Sequence, residues 1–250
     1  MSVTISPAAT PLDLAGKVAS GLPGTPLQAG QPVTSVLDAA TKPDDLYALN
    51  LRAGTQLTVS LQANSSAFSA TFGPDGTLPE IERGNLGLCN ADPNCAATIP
   101  IPVDGRYLLL VNAYGSGLRY TLRTFVAPLA VPSGASDLTG RVASTPPGTP
   151  LVLGTTVASV VDERAKPRDV YALSLRAGQT LQVAVDAASY DDMVDLVPPG
   201  GALDSFAAQT VCSSTSACRR AVPIAASGTY ALVVEAVGPA VRYTLRATAQ

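Results

Sequence analysis

The sequence predicts an all-β protein with two tandem antiparallel β-sandwich domains. Three observations lead to this prediction: a long internal repeat, an apolar residue at every second position within the repeated segments, and a composition rich in turn residues. The 250 residues include 21 Gly and 21 Pro, and 46% of the residues are hydrophobic. This composition is too apolar for a disordered chain and too rich in Gly and Pro for long helices, so it favours short strands with frequent turns.

The repeat is clearest in its central segment. Asp45-Leu-Tyr-Ala-Leu-Asn-Leu-Arg-Ala-Gly54 returns as Asp169-Val-Tyr-Ala-Leu-Ser-Leu-Arg-Ala-Gly178, and a second alternating run follows each glycine. Period-two apolar spacing on both sides of a turn residue predicts two antiparallel strands joined as a hairpin. The residues expected to face the core are Tyr47, Leu49, Leu51, Leu57 and Val59 in the first copy, and Tyr171, Leu173, Leu175, Leu181 and Val183 in the second.

The other elements occur in the same order in both copies. Each copy opens with a Leu-x-Gly-x-Val-Ala-Ser segment, at Leu14 and at Leu138, and continues through a Pro-Gly-Thr-Pro turn. A short apolar strand follows and ends at a Lys-Pro pair. A strand ending in a Pro/Gly turn follows the central segment, and two further strands close the copy. Seven or eight strands per copy, with turn signals about every ten residues, predict a β-sandwich. The expected organisation is an extended leader at 1–12, a first sandwich at 13–127, a Pro-rich linker at 128–136 and a second sandwich at 137–250.

Charge and hydropathy narrow the possible partners. A net charge of -3 gives no support to a role in binding nucleic acid or anionic membranes. No apolar run reaches the ~18 residues that a membrane helix needs. Residues 1–7 also lack the basic segment and apolar core of an export signal, so we expect no export signal in this sequence.

The four cysteines form two pairs with the same spacing, Cys89 with Cys95 and Cys212 with Cys218, at equivalent places in the two copies. Turn-forming residues separate the members of each pair, so each pair could close a small disulfide loop. The alternatives are a metal site, which would need a further Cys or His nearby, and inert buried thiols. Because disulfides form in oxidising compartments, we expect an extracytoplasmic location: secreted, periplasmic or at the cell surface.

The order of the repeated motifs resembles the bacterial pre-peptidase C-terminal domain family. The resemblance rests on the Asp-x-Tyr-x-Leu-x-Leu-x-Ala-Gly segment, the strand ending in Pro-x-Gly, the segment Gly-x-Tyr-x-Leu-x-Val and the closing Tyr-Thr-Leu. Two copies would cover nearly the whole chain. The resemblance implies a secreted, jelly-roll-like sandwich of the kind appended to exported peptidases, and some members of that family bind collagen or calcium. In the 250 residues, the two copies occur without a peptidase domain.

Candidate chemistry is limited because histidine is absent. Its absence excludes Ser-His-Asp and Cys-His nucleophilic sites and metal sites with imidazole ligands. Asp191, Asp192 and Asp195, with Asp186 just upstream, form the densest acidic cluster, and such oxygen ligands suit calcium. The alternative is a solvated loop. The first copy has no acidic residue at the positions that match Asp191, Asp192 and Asp195, so a calcium site would exist once.

A row of arginines is one candidate for partner binding. Arg119 and Arg123 in the first copy, and Arg242 and Arg246 in the second, alternate with apolar residues on a predicted strand. They should therefore point away from the core. Such a row could dock an acidic partner, or it could be a solvated strand face.

A pair of leucines is the other candidate. The spacing turns Tyr107, Leu109 and Val111 inward and leaves Leu108 and Leu110 on the opposite face, where a solvated sheet would carry polar residues. We therefore expect Leu108 and Leu110 to contact the other repeat or another chain. The alternative is that they are isolated surface leucines.

Together these observations favour a non-catalytic binding or assembly module of the secreted fraction or the cell envelope. Its partner would be another envelope or secreted protein, or a second copy of the chain. The alternative is a metal-binding surface protein with calcium at the Asp cluster, which is the one cofactor that the sequence suggests. A redox or hydrolytic metalloenzyme is a weaker alternative because imidazole ligands are absent.

Overall fold

The computed structural model describes residues 9–76, 87–187, 192–203, 208–213 and 217–250, and every regular element within these ranges is a β-strand. The all-β prediction is therefore confirmed. Within the described residues, no helix is long and apolar enough to span a membrane. In chain order the strands are β1 (Leu12–Asp13), β2 (Thr25–Pro26), β3 (Val33–Leu37), β4 (Asp44–Leu51), β5 (Thr55–Ala63), β6 (Phe68–Pro74), β7 (Gly87–Asn90), β8 (Asn94–Pro100), β9 (Gly105–Ala113), β10 (Leu118–Pro128), β11 (Ala135–Asp137), β12 (Thr149–Pro150), β13 (Thr156–Val161), β14 (Arg168–Leu175), β15 (Thr180–Ala187), β16 (Asp192–Val197), β17 (Gln209–Ser213), β18 (Ala217–Pro223), β19 (Gly228–Ala236) and β20 (Val241–Ala249).

The chain forms two compact units, each built from two five-stranded sheets. The front sheet of the first unit has the order β1-β3-β10-β5-β8, and its back sheet has the order β2-β4-β9-β6-β7. The second unit has a front sheet β11-β13-β20-β15-β18 and a back sheet β12-β14-β19-β16-β17. The units divide between Ala127 and Pro128, although the turns at 52–55 and 100–104 group with the second unit.

The first and last strands of each unit lie in the front sheet. In the first unit, β1 runs parallel to β3 and β10 runs antiparallel to β3. In the second unit, β11 and β20 flank β13 in the same two directions. The final strand is therefore a central strand of its sheet in both units, with neighbours on each side.

The central segment of each copy folds into two strands around a turn, but these strands do not pair with each other. β4 lies in the back sheet beside β9, whereas β5 lies in the front sheet beside β10 and β8. The turn at Gly54, whose φ is +73°, carries the chain from one sheet to the other. The hairpin prediction was wrong because period-two spacing shows which face of a strand is apolar but not which strand is its neighbour.

The predicted inward faces are confirmed. All ten residues are at most 5% exposed; they are Tyr47, Leu49, Leu51, Leu57, Val59, Tyr171, Leu173, Leu175, Leu181 and Val183. Because β4 and β5 belong to opposite sheets, their apolar faces meet from the two sides of the sandwich. The same alternation that would suit a hairpin thus fills a core between two sheets.

A buried polar network links the two sheets of the first unit. The Tyr120 hydroxyl, on β10 of the front sheet, donates to Asp45 Oδ2 on β4 of the back sheet at 2.5 Å. The Tyr47 and Tyr120 hydroxyl oxygens are 2.8 Å apart, and Lys42 forms an ion pair with Asp45. Asp45 is 0% exposed, so these partners compensate a carboxylate that is removed from water.

The second unit contains the same network. The Tyr243 hydroxyl on β20 donates to Asp169 Oδ2 at 2.6 Å, and the Tyr171 and Tyr243 hydroxyl oxygens are 2.7 Å apart. Lys166 forms the ion pair with Asp169. The two networks differ in the lysine. The side chain of Lys42 is 23% exposed, whereas that of Lys166 is 5% exposed.

Burial also changes the acidity of the network tyrosines. Removal from water raises the pKa of Tyr47, Tyr120, Tyr171 and Tyr243 above the ordinary value, and the nearby carboxylate adds to the rise. The folded protein therefore keeps these four hydroxyl protons at a pH where an unfolded chain would lose them.

We expect Asp169→Asn to destabilise its unit more than Asp45→Asn does. The change at Asp169 leaves the Lys166 ammonium group buried without a counter-charge, for a cost of about 3–5 kcal/mol. The partly exposed Lys42 can be rehydrated after Asp45→Asn, so a smaller loss of about 1–3 kcal/mol is expected there. Urea unfolding of both variants, with Asp75→Asn at a surface ion pair as control, measures the difference. Equal losses for the two variants would contradict the role given to lysine burial.

The free energy of unfolding should fall as the pH rises above about 10. The unfolded chain releases tyrosine protons near that pH while the folded network retains them, so each raised tyrosine removes about 1.4 kcal/mol per pH unit. The stabilisation that comes from these tyrosines is fully present below about pH 10 and is lost progressively as the pH rises above that value. Urea midpoints between pH 8 and 11.5 measure the slope, and the double variant Tyr120→Phe with Tyr243→Phe should show a flatter one. An unchanged slope would rule out these groups as its source.

Candidate functional site

Both predicted disulfides are confirmed. Cys89 is bonded to Cys95 and Cys212 to Cys218, with Cα–Cα distances of 5.7 and 6.1 Å. Each bond joins the edge strand of a back sheet to the edge strand of the front sheet of the same unit, β7 to β8 and β17 to β18. The bonds are therefore structural links at one side of each sandwich, and they are not part of a metal site.

The acidic residues of the second copy do not all come together. Asp186 lies on the outer face of the front sheet, where Arg219 Nη2 donates to both of its carboxylate oxygens, at 2.8 and 3.0 Å. Asp195 lies on β16 of the back sheet, between the core residues Val194 and Leu196, so it points outward on the opposite side of the sandwich. Asp191 and the side chain of Asp192 lie outside the described residues.

The expected four-carboxylate calcium site therefore needs correction. Asp186 and Asp195 cannot share one ion, because the two sheets and the core between them separate their side chains. Within the described ranges, no three His, Cys, Asp or Glu side chains are grouped closely enough to hold a metal. Calcium binding through Asp191 and Asp192 stays a prediction.

Leu108 and Leu110 are buried within the single chain, at 0% and 3% exposure. They lie on the outer face of the back sheet as predicted, where they pack with Leu46 and Ala48. The loop that ends at β2 lies against this layer, because a Cβ atom at Gly24 would be 3.3 Å from Leu46 Cγ. Because neither leucine is exposed, the expectation that they offer a surface to another chain is corrected.

The second unit has an equivalent apolar layer, and a Cβ atom at Gly148 would be 3.0 Å from Val170 Cγ1 within it. Val170, Val197 and Val233 form an apolar layer on the outside of its back sheet, and Leu203 and Ala208 pack against that layer. An apolar pair on the outer face of a strand therefore marks a second small core under a loop in this fold. The sequence pattern alone did not reveal the loop.

The arginines lie on the outer faces of the front sheets, as the alternation predicts. Arg119, Arg123 and Arg246 are exposed. Arg242 differs, because its three guanidinium nitrogens are buried and have no hydrogen-bond partner. The two copies thus present different surfaces at equivalent positions.

The first unit has an open groove of about 420 Å³ beside Arg119. It crosses the outer face of the front sheet from β1 to β5, and its polar lining residues include Asp13, Thr34, Thr121, Gln62 and Arg119. The pairing register places Asp13 opposite Thr34 and Thr34 opposite Thr121, so these side chains form one row across three strands.

The groove offers hydrogen-bonding groups that the sandwich does not use. Asp13 accepts from the Ala15 amide at 3.0 Å, but the side chains of Gln62 and Arg119 make no hydrogen bond or ion pair with any described residue. Both side chains are exposed. Two strand spacings, about 10 Å, separate the Asp13 strand from the Arg119 strand. The groove therefore presents the Asp13 carboxylate at one end and the Gln62 amide at the other, with the hydroxyl groups and the Arg119 guanidinium between them.

The equivalent face of the second unit is less polar and less exposed. Ala158 takes the place of Thr34 in the register, and both it and Val160 are 0% exposed. Asp186 takes the place of Gln62 and is already paired with Arg219. The open polar groove is thus a feature of the first unit.

Asp13 and Gln62 were not predicted from the sequence as site residues. Both are single polar residues on short or alternating strands, and only the order of the strands brings them beside Arg119. Comparing the copies position by position would have shown that Gln62 corresponds to Asp186, but not that either lies in a groove.

Comparison with known proteins adds distant likenesses. No family model matches the chain, and no significant match to a curated protein was found. Among solved structures, a periplasmic inhibitor of g-type lysozyme from Aeromonas hydrophila covers 41% of this chain and 95% of its own, with 18% identity and a TM-score of 0.36. The N-terminal CBM22-1-CBM22-2 tandem domain from Paenibacillus barcinonensis Xyn10C covers 93% of this chain and 90% of its own, with 10% identity and a TM-score of 0.26. No function follows from likenesses this remote.

Calcium binding at Asp191 and Asp192 predicts a specific thermal shift. Calcium at about 100 times its dissociation constant would add ~2.7 kcal/mol to stability and raise the melting temperature of the second unit. Asp191→Asn with Asp192→Asn should abolish the rise, whereas Asp186→Asn should leave it unchanged because that carboxylate is paired with Arg219. Differential scanning calorimetry with and without millimolar calcium makes the comparison. No shift in the native protein would assign these residues to a solvated loop.

Proposed function

We propose that this chain is a non-catalytic binding module of the secreted fraction or the cell envelope, made of two sandwiches similar to the pre-peptidase C-terminal domain. The observation that carries the proposal is the groove on the first front sheet, where exposed polar side chains are left free by the fold. Hydrogen-bond donors and acceptors that are free and converge on a concave surface are typical of a recognition site.

The arrangement of the buried charges supports a binding role over a catalytic one. In the described part of the chain, the charged residues that are buried as whole residues are Asp45, Asp162, Lys166 and Asp169. Three of them belong to the networks that link the sheets, and Asp162 accepts from the backbone amides of two turn residues. Each of these groups has a structural task, and none lines the groove.

The disulfides support the location. Each unit has one bond between the edge strands of its sheets, and such bonds persist in oxidising compartments. The partner would therefore be another secreted or envelope protein, or a second copy of the chain.

A photo-crosslinking experiment tests the proposed function. A photoreactive amino acid at position 62 lies in the groove, and one at position 50 lies at an exposed position on the outer face of the back sheet of the same unit. In the native envelope or secreted fraction, we expect discrete cross-linked products from position 62 that position 50 does not give. Identical products from both positions, or none from position 62, would contradict a binding role for the groove.

A further inference from the structure

The outer face of β10 carries a regular row of outward-pointing side chains. Arg119, Thr121, Arg123 and Phe125 occupy every second position, while the residues between them are buried in the core. Arg119 and Arg123 are exposed, and the Phe125 ring is 61% exposed. We call this row the β10 stripe.

The stripe lies on the central strand of the front sheet. β10 lies between β3 and β5, and it pairs with β3 from Leu118 to Leu122, so the backbone around Arg119 and Thr121 already has a partner strand on that side. At about 3.3 Å per residue, the Cα atoms of Arg119 and Arg123 are about 13 Å apart, and that of Phe125 is about 7 Å beyond Arg123. Arginine and aromatic side chains are enriched in protein interfaces, and neither arginine side chain of the stripe makes a hydrogen bond or ion pair with a described residue.

We propose that the β10 stripe binds an extended acidic polypeptide segment of the partner protein, with two carboxylates four residues apart over Arg119 and Arg123 and an apolar side chain two residues further on against Phe125. This inference rests on the proposed function, for which it names the partner's chemistry. The matching period follows because an extended segment repeats its side chains on one face at the same spacing as a strand.

The charge pattern favours a polypeptide over a uniform polyanion. The stripe has two cations separated by a hydroxyl-bearing residue, and Asp13 adds a carboxylate to the neighbouring groove. Nucleic acid, by contrast, carries a charge about every 3.4 Å along each strand. The chain as a whole has a net charge of -3, so closely spaced anions would meet repulsion outside the stripe. Separate carboxylates and an apolar residue match what the surface presents.

The second unit provides a matched control within the same chain. Its equivalent row on β20 is Arg242, Thr244, Arg246 and Thr248, so the aromatic residue is missing. The Arg242 guanidinium is buried, and Asp186 lies opposite Thr244 in the register. Of the two rows, the one on β10 thus combines two free guanidinium groups with the exposed ring of Phe125, and it has the neutral Gln62 beside it where the second unit has Asp186.

Titration of the full-length protein with synthetic peptides tests the inference. The probe is a nonapeptide of Thr and Ser with Glu at positions 2 and 6 and Leu at position 8; one control has Gln at both Glu positions, and another has the two Glu residues adjacent. Backbone amide shifts in NMR spectra report the site and the affinity. We expect shifts confined to β10 and its neighbours, and an affinity for the spaced peptide at least about fivefold above that for either control.

Variants of the protein assign the contacts. Arg119→Gln with Arg123→Gln should weaken binding at least about fivefold, whereas Arg242→Gln with Arg246→Gln should leave it unchanged. Phe125→Ser should remove the difference between the Leu peptide and one with Ser at position 8, because the two changes delete the same contact. Raising the salt concentration should weaken binding to the native protein.

Three results would overturn the inference: equal binding of the spaced and adjacent peptides, insensitivity to the Arg119 and Arg123 changes, or binding of a sulfated polysaccharide through these arginines without binding of the peptide. Failure of the proposed function is recognised separately by photo-crosslinking. If position 62 captures a partner whose contact segment lacks acidic residues, the groove binds a protein but this inference is wrong.

Discussion

A buried carboxylate that is held from both sheets is the interaction on which each unit depends. Asp45 and Asp169 lie on a back-sheet strand, and each accepts a hydrogen bond from a tyrosine on the last front-sheet strand. The second tyrosine and the lysine complete the set, so the charge is compensated without water. An apolar core alone would let the sheets slide, because hydrophobic contact is not directional. Directional bonds to one carboxylate therefore restrict the relative position of the two sheets.

The same arrangement leaves the outer faces free to diverge between the copies. Core and network residues are shared, whereas the outer face of the front sheet changes from Thr34 and Gln62 in the first unit to Ala158 and Asp186 in the second. Outer side chains on a sheet contribute little to the core, so they can change while the sandwich stays folded. One copy has kept an open polar surface, and the other has covered or neutralised it.

The sequence predicted correctly which face of each strand is buried, but it did not predict which strands pair with each other, for a physical reason. The alternation at Tyr47, Leu49 and Leu51 reports only that one face of the strand is buried. Strand order, which places β4 and β5 in opposite sheets, depends on contacts between distant segments. Leu108 and Leu110 show the same limit, because their burial depends on a loop that the local pattern does not encode. The groove beside Arg119 was equally hidden, since its lining comes from four strands.

The direction of the strands in the front sheet has a consequence for how such a chain can grow. Because β1 is parallel to β3 and β10 is antiparallel to it, the chain enters and leaves the first unit at the same end of one sheet. The second unit repeats this with β11 and β20 around β13. A gene segment encoding such a unit can be duplicated head to tail with only a short connection, here between Pro128 and Ala135, without threading new chain through an existing core. The neighbouring ends would also tolerate circular permutation, so the order of strands along the gene is freer than their order in the sheet.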